Sequence, residues 1–195
     1  GQKFHYQQVE KSFTQPNADI NEKMLEWSLD VTKEASGELL EMYCGNGNFS
    51  IPLARHFDRV VATEISKVSV NSAQLNIAIN GMSNVQVVKM ASEDVSAALN
   101  GDVELPKGLV QAGVSELSPS VVLVDPPRAG LDDATVELIR KIDAILYISC
   151  NPETLKLNLE ALSSTHEVVR YAMFDQFPYT HHVETGVYLQ RKVSA

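Results

Sequence analysis

Cys150 lies in Tyr147-Ile148-Ser149-Cys150-Asn151-Pro152-Glu153-Thr154, where an apolar run gives out into a proline-bearing turn. The thiolate is the reactive form of cysteine, and an open α/β sheet shows the side chains at its strand ends to a ligand rather than to the core. This placement predicts an attacking sulfur, its pKa depressed by the exposed amides of a helix opening at Pro152 and Glu153. The plainer reading is an inert, buried cysteine. Upstream, Val121-Val122-Leu123-Val124 runs into Asp125-Pro126-Pro127-Arg128. Two prolines stiffen that turn and remove two amides, so Asp125 and Arg128 are expected as a rigid polar pair that grips a planar ring and stabilises charge on a carbonyl oxygen. A surface ion pair at a strand end is the alternative.

Glu184 stands where the last apolar run begins, after the polar and aromatic stretch Phe174 to Val183. Its neighbours are expected to desolvate it and lift its pKa toward general-base values. Phe177 and Tyr179 are read either as stacking surfaces for a base or as core. His181 and His182 are adjacent and no third ligand is spaced to join them, so no metal is expected.

A second constellation is Leu39-Leu40-Glu41-Met42-Tyr43-Cys44-Gly45-Asn46-Gly47-Asn48-Phe49-Ser50, a strand, a glycine turn and a helix start. Gly45 and Gly47 permit positive φ and let the backbone approach a ligand, with Asn48 or Ser50 serving the helix amides. Glu64 ends the next strand, 17 positions beyond Gly47, where a carboxylate accepts both hydroxyls of a ribose. Ser50 replaces the third glycine of the dinucleotide fingerprint, which favours a cofactor without a pyrophosphate. S-adenosylmethionine fits better than NAD. Asp94, after the third strand, reads either as a neighbour of an adenine edge or as a helix N-cap. Cys44 reads as a small buried residue rather than a second nucleophile.

These groups need a scaffold, and the pattern supplies one. Asn17 or Asp19 caps a helix with Met24, Leu25, Leu29 and Val31 inward, ending near Gly37. Strands are expected at 39–42, 60–63, 85–90, 121–124, 145–149, 168–174 and 186–190, with helices at 49–56, 68–80, 91–99, 134–141 and 153–162. Such alternation implies right-handed βαβ units in a mostly parallel, doubly wound, Rossmann-like α/β sheet. The last two strands have no helix between them and read as a C-terminal antiparallel hairpin. Residues 100–119 read as a long surface loop. Residues 1–12 read as the remnant of an upstream connection and 13–195 as one domain.

The 195 residues, 44% of them hydrophobic, are enough for one domain with a full core. No apolar run approaches the roughly 18 residues of a membrane span, and no signal-peptide pattern opens the chain, so a cytoplasmic protein is expected. Two cysteines outside any ligand cluster argue against disulfides and zinc. A net charge of -9 is unfavourable for gripping a phosphate backbone unaided.

Together, Phe13-Thr14-Gln15-Pro16-Asn17, the Tyr43 to Ser50 loop, Asp125-Pro126-Pro127-Arg128, Ser149 to Leu155 and Phe174 to Glu184 resemble the RNA 5-methyluridine methyltransferases. The resemblance spans about 13–190. It implies that Gln15, Tyr43, Gly45, Asn48, Glu64 and Asp125 lie at S-adenosylmethionine, with Cys150 as nucleophile, Glu184 as base, and Arg128 holding uracil together with Asp125. It further implies methylation of the T-loop uridine of tRNA, with transfer-messenger RNA as a further substrate, no metal and no obligate protein partner. The family places a β-rich RNA-binding region upstream, so the chain is expected to be the C-terminal catalytic domain. Two rivals remain: an amino-group methyltransferase, which needs neither Cys150 nor Glu184, and an RNA-binding module with a vestigial cofactor pocket.

Overall fold

The computed structural model describes residues 2–10 and 13–193, so residues 1, 11 and 12 of the expected connection lie outside the described residues. Asn17 caps α1 (Ala18–Val31) by accepting a hydrogen bond from the Ile20 amide, while Asp19 occupies the first turn. The helix stops short of the expected Gly37, which takes a φ of 81° just before β1 (Glu38–Met42). There follow α2 (Ser50–Leu53), extended by a 3-10 turn at Ala54–His56, then β2 (Arg59–Glu64), α3 (Lys67–Ile79), β3 (Val85–Lys89) and α4 (Ser92–Asn100). Beyond these come α5 (Lys107–Gln111), β4 (Pro119–Val124), α6 (Asp133–Ile139), β5 (Ala144–Ser149), α7 (Pro152–Leu162), β6 (His166–Phe174) and β7 (Glu184–Arg191).

The seven strands form one sheet in the order β3-β2-β1-β4-β5-β7-β6, and the first five run parallel. β7 pairs antiparallel with β5 on one side and β6 on the other, so the expected hairpin is present with its second strand inserted inward. The chain winds outward from β1 through β2 to β3, then returns to place β4 on the other side of β1. Such a reversal opens a crevice beyond the strand ends.

Strand side chains alternate between two apolar layers, as the two-residue period requires. Leu40, Val122, Ile145 and Tyr147 pack on one face, with Leu39, Val121, Leu123, Leu146 and Ile148 on the other. Residues 100–119 depart from the expected loop. They contain α5 and a 3-10 turn at Val114–Glu116, and Leu109, Ala112 and Val114 are buried in the first of those layers. Elements this short carry no helical period for a sequence to display. Among the described residues, no helix is long and apolar enough to cross a membrane.

Candidate active site

The crevice above β1 and β4 is a cavity of about 920 Å³, within the size range of small-molecule sites. Its cofactor-side wall is the turn after β1. Tyr43, Gly45 and Gly47 all take positive φ, at 65°, 57° and 86°. A Cβ on Gly45 would meet nothing within 4 Å, so the backbone here faces open space. Glu64 at the tip of β2 is fixed by two amides, Gly45 N–H to Oε2 at 3.0 Å and Ser66 N–H to Oε1 at 2.7 Å. Each carboxylate oxygen keeps a lone pair for a ligand hydroxyl.

Neither Asn48 nor Ser50 caps α2, whose N-cap Phe49 makes no side-chain hydrogen bond. Ser50 instead donates to the buried Glu41, and the Asn48 amide exchanges hydrogen bonds with Asn21. A buried carboxyl needs a donor more than a one-turn helix needs a cap. Burial lifts Glu41 to about 8 against the opposing Ser50 bond, with the Asp125 and Glu64 charges adding to the rise, and its Oε1 has no hydrogen-bond partner. Sequence reasoning passed over Glu41, although an acid inside Leu39-Leu40-Glu41-Met42 was a signal. It also missed Tyr6, which lines the cavity and donates to the Asn48 carbonyl at 3.3 Å. Residues 5–7 run along α3, bonded to Ser72, Asn76 and Asn80.

Asp94 takes neither role expected of it. It is exposed in the first turn of α4, the N-cap is Ala91, and the adjacent Ser92 and Glu93 are the residues that face the cavity. Cys44 is 4% exposed, and burial pushes its thiol well above the usual range. Gln15 lines the cavity and accepts a hydrogen bond from Gln176 at 3.0 Å.

Strand register assembles the opposite wall. β1 pairs Met42 with Val124, which sets Tyr43 beside Asp125 at the crevice. β5 and β7 pair Ser149 with Thr185, and one further antiparallel step brings Cys150 opposite Glu184. Asp125, Arg128, Cys150, Phe177, His182 and Glu184 all line the cavity. Asn151 caps α7 by accepting from the Glu153 amide, and its Nδ2 donates to the Arg128 carbonyl at 2.9 Å, clamping the diproline turn to the cysteine's helix.

One electrostatic expectation is corrected and one alternative falls: among the described residues no ion pair joins Asp125 to Arg128, and both line the cavity. The Arg128 side chain is exposed, while burial and then the Glu184 charge raise Asp125 to about 8. The prolines hold the backbone but turn the two side chains to different surroundings. The Cys150 thiol is raised, not lowered: burial dominates, Glu184 and Asp125 add to it, and its own amide and Arg128 oppose. The Asn151 cap takes one of the helix amides that were to stabilise the thiolate. Glu184 behaves as expected, 3% exposed and raised by burial to about 7.

Phe177 is half-buried in the cavity wall with its ring edge-on to His182 at 5.9 Å, whereas Tyr179 is fully exposed with a φ of 67°. His181 is exposed, and no cluster of three or more metal-ligating side chains occurs among the described residues.

Comparison with known proteins agrees with this geometry. The model of the tRNA (Uracil-5-)-methyltransferase family matches residues 1–192. A tRNA/tmRNA (uracil-C(5))-methyltransferase of Marinomonas sp. (strain MWYL1) is 92% identical over 194 residues, covering 100% of this chain and 53% of its own length. The enzyme of that name from Klebsiella pneumoniae (strain 342) is 58% identical over 192 residues, covering 98% of this chain and 52% of its own. The chain thus spans about half the length of these relatives. Among solved structures, the Pyrococcus abyssi tRNA (uracil-54, C5)-methyltransferase in complex with S-adenosyl-L-homocysteine superposes with a TM-score of 0.71 at 26% identity, over 97% of this chain and 45% of that one. The N-methyltransferase NodS of Bradyrhizobium japonicum shares the fold alone, with a TM-score of 0.66 at 10% identity. With the family model matching nearly every residue, the chain belongs to the tRNA (uracil-5-)-methyltransferase family.

Proposed function

We propose that this chain catalyses methyl transfer from S-adenosylmethionine to carbon 5 of the T-loop uridine of tRNA, and of the matching uridine in transfer-messenger RNA, through a covalent Cys150–uracil intermediate. The observation that carries the reading is the β5–β7 register, which sets a thiol against a carboxyl of raised pKa across the cavity from the glycine turn. The family membership and the printed names of the relatives support the substrate.

The residues present fit the cofactor. Gly45 leaves its face of the cavity open, Glu64 holds two free lone pairs toward ribose hydroxyls, and Tyr43, Asn48, Gln15 and Asp125 complete the walls. The bound cofactor supplies a methyl group made electrophilic by its sulfonium.

Carbon 5 of uracil is a weak nucleophile, so the Cys150 thiol first gives its proton to solvent and the resulting thiolate bonds to carbon 6, while the π electrons of the ring move onto the carbonyl oxygen at carbon 4. Asp125, with its pKa at about 8, is protonated at neutral pH and donates a hydrogen bond to that developing oxyanion. Arg128 favours the ionised sulfur. Carbon 5, now electron-rich, takes the methyl. Glu184 removes the remaining proton from carbon 5, the double bond re-forms, and the sulfur leaves carbon 6 with its bonding pair. The base must leave its stack to enter, and Phe177 in the cavity wall offers a ring to receive it.

The test is nucleoside analysis of T-arm RNA incubated with the full-length protein and S-adenosylmethionine. 5-Methyluridine should appear at the T-loop position and vanish with Cys150→Ala. Methylation on a base nitrogen, or 5-methyluridine formed at the normal rate by Cys150→Ala, would overturn the reading.

A further inference from the structure

Gln176 is 2% exposed, in the segment between β6 and β7, and every polar atom of its amide is used. Its Oε1 accepts from the backbone N–H of Asn17 at 3.1 Å. Its Nε2 donates to Gln15 Oε1 at 3.0 Å and touches the Met24 sulfur at 3.4 Å. A backbone N–H can only donate, and a thioether sulfur can only accept, so the Gln176 amide has a single sensible orientation. Its nitrogen must face Gln15. Gln15 in turn must give its oxygen to Gln176, which leaves the Gln15 Nε2 as the atom free for the cavity it lines. That nitrogen donates to no protein group among the described residues.

We propose that Gln176 is a positioning residue that fixes the amide polarity of Gln15, so that Gln15 offers the cavity an N–H donor and never its oxygen, selecting an oxygen acceptor on the ligand. Two ligand groups share that chemistry, the carboxylate of the cofactor's methionyl moiety and a carbonyl of the target pyrimidine. A pyrimidine bearing an amino group in place of that carbonyl would present a donor to a donor and lose the bond. The inference deepens the proposed methyl transfer and rests on it. It also explains a connection across the fold. The loop that carries Phe177 and leads into Glu184 at the start of β7 is tied through one buried amide to the segment before α1, so the two sides of the cavity share a common support.

Steady-state kinetics of the full-length enzyme, with the KM of S-adenosylmethionine and of T-arm RNA measured separately, tests this. Gln15→Met should raise one of the two by about tenfold, the loss of one hydrogen bond to a strong acceptor. A rise in the cofactor's KM identifies the carboxylate, and a rise in the RNA's KM identifies the carbonyl. Gln15→Glu keeps an acceptor for Gln176 while turning an oxygen toward the ligand, so it should raise the same KM further than Gln15→Met. Gln176→Met should raise that KM as well, and the double variant Gln15→Met/Gln176→Met should be no worse than Gln15→Met, because both remove one interaction. Wild-type kinetics from Gln15→Glu would overturn the proposal whether or not Gln176→Met folds. So would losses from the two methionine variants that multiply in the double variant. Absence of uridine methylation by the wild-type enzyme would instead sink the proposed function, a distinct result.

Discussion

Cys150 sits among groups that keep it protonated, since burial, Glu184 and Asp125 all raise its pKa. The proposed attack therefore requires the thiol to lose its proton first, which the nearby Arg128 charge favours. Cys150→Ala should reduce uridine methylation by roughly 10⁴-fold or more, measured by single-turnover assay. Glu184→Gln should still form the sulfur–carbon bond but fail to release it, so a covalent protein–RNA band should accumulate on a denaturing gel. As the proposed base Glu184 must act ionised, and burial lifts it to about 7, so the wild-type rate of proton removal should rise with pH through about 7 and level off above it. Loss of that rise in a pre-formed methylated adduct of Glu184→Gln is the matching check. The placement of Cys150, Glu184 and Glu64 at the crevice was legible in the sequence because each lies at the end or the beginning of a recognisable strand. Gln176 and Tyr6 were not, because their meaning comes from contacts with residues distant in the chain, 161 positions apart for Gln176 and Gln15.

At the scale of elements, the alternation of apolar runs and amphipathic stretches revealed the parallel sheet, and the missing helix before β7 revealed the antiparallel pair. What it did not reveal was that β7 lies between β5 and β6, which follows from long-range pairing rather than from local pattern. That insertion is what carries Glu184 to Cys150. α1 also packs tightly against β7: a Cβ on Gly186 would fall 2.5 Å from Trp27 Cζ3, and the indole is held edge-on to Phe174. Gly186→Ala should cost about 1–3 kcal/mol, read as a lowered urea midpoint. The strap over 5–7 depends on α3 in the same way. Asn76 is fully buried, accepts from the Gln7 amide at 2.7 Å and donates to the Asn46 carbonyl at 3.0 Å in the glycine turn. Asn76→Leu should leave those groups unpaired, destabilise the protein by about 1–3 kcal/mol, and weaken S-adenosylmethionine binding by titration calorimetry.

The whole molecule carries a formal charge of -9, yet three carboxyls in and beneath its cavity resist ionisation, Glu41 and Asp125 at about 8 and Glu184 at about 7. Between their ordinary pKa and these values the folded protein holds protons that the unfolded chain gives up. Stability from these groups is therefore complete below about pH 4.5 and is lost as pH rises through 7 to 8, with a slope of about 1.4 kcal/mol per pH unit for each fully unbalanced proton. The urea midpoint of the cofactor-free protein should fall from pH 5 to pH 8, and Glu41→Gln should flatten the fall. The formal charge of the chain as a whole, -9, is unfavourable for holding a phosphate backbone. RNA affinity is accordingly expected to depend on the further length that the relatives possess. The most direct measurement is mass spectrometry of the full-length protein mixed with S-adenosylmethionine and T-arm RNA bearing 5-fluorouridine at the target position. Fluorine cannot be removed as a proton, so a methylated pyrimidine should remain bonded to the peptide that contains Cys150. Methyl transfer with no adduct, or an adduct on Cys44, would contradict the central role given to the sulfur at the end of β5.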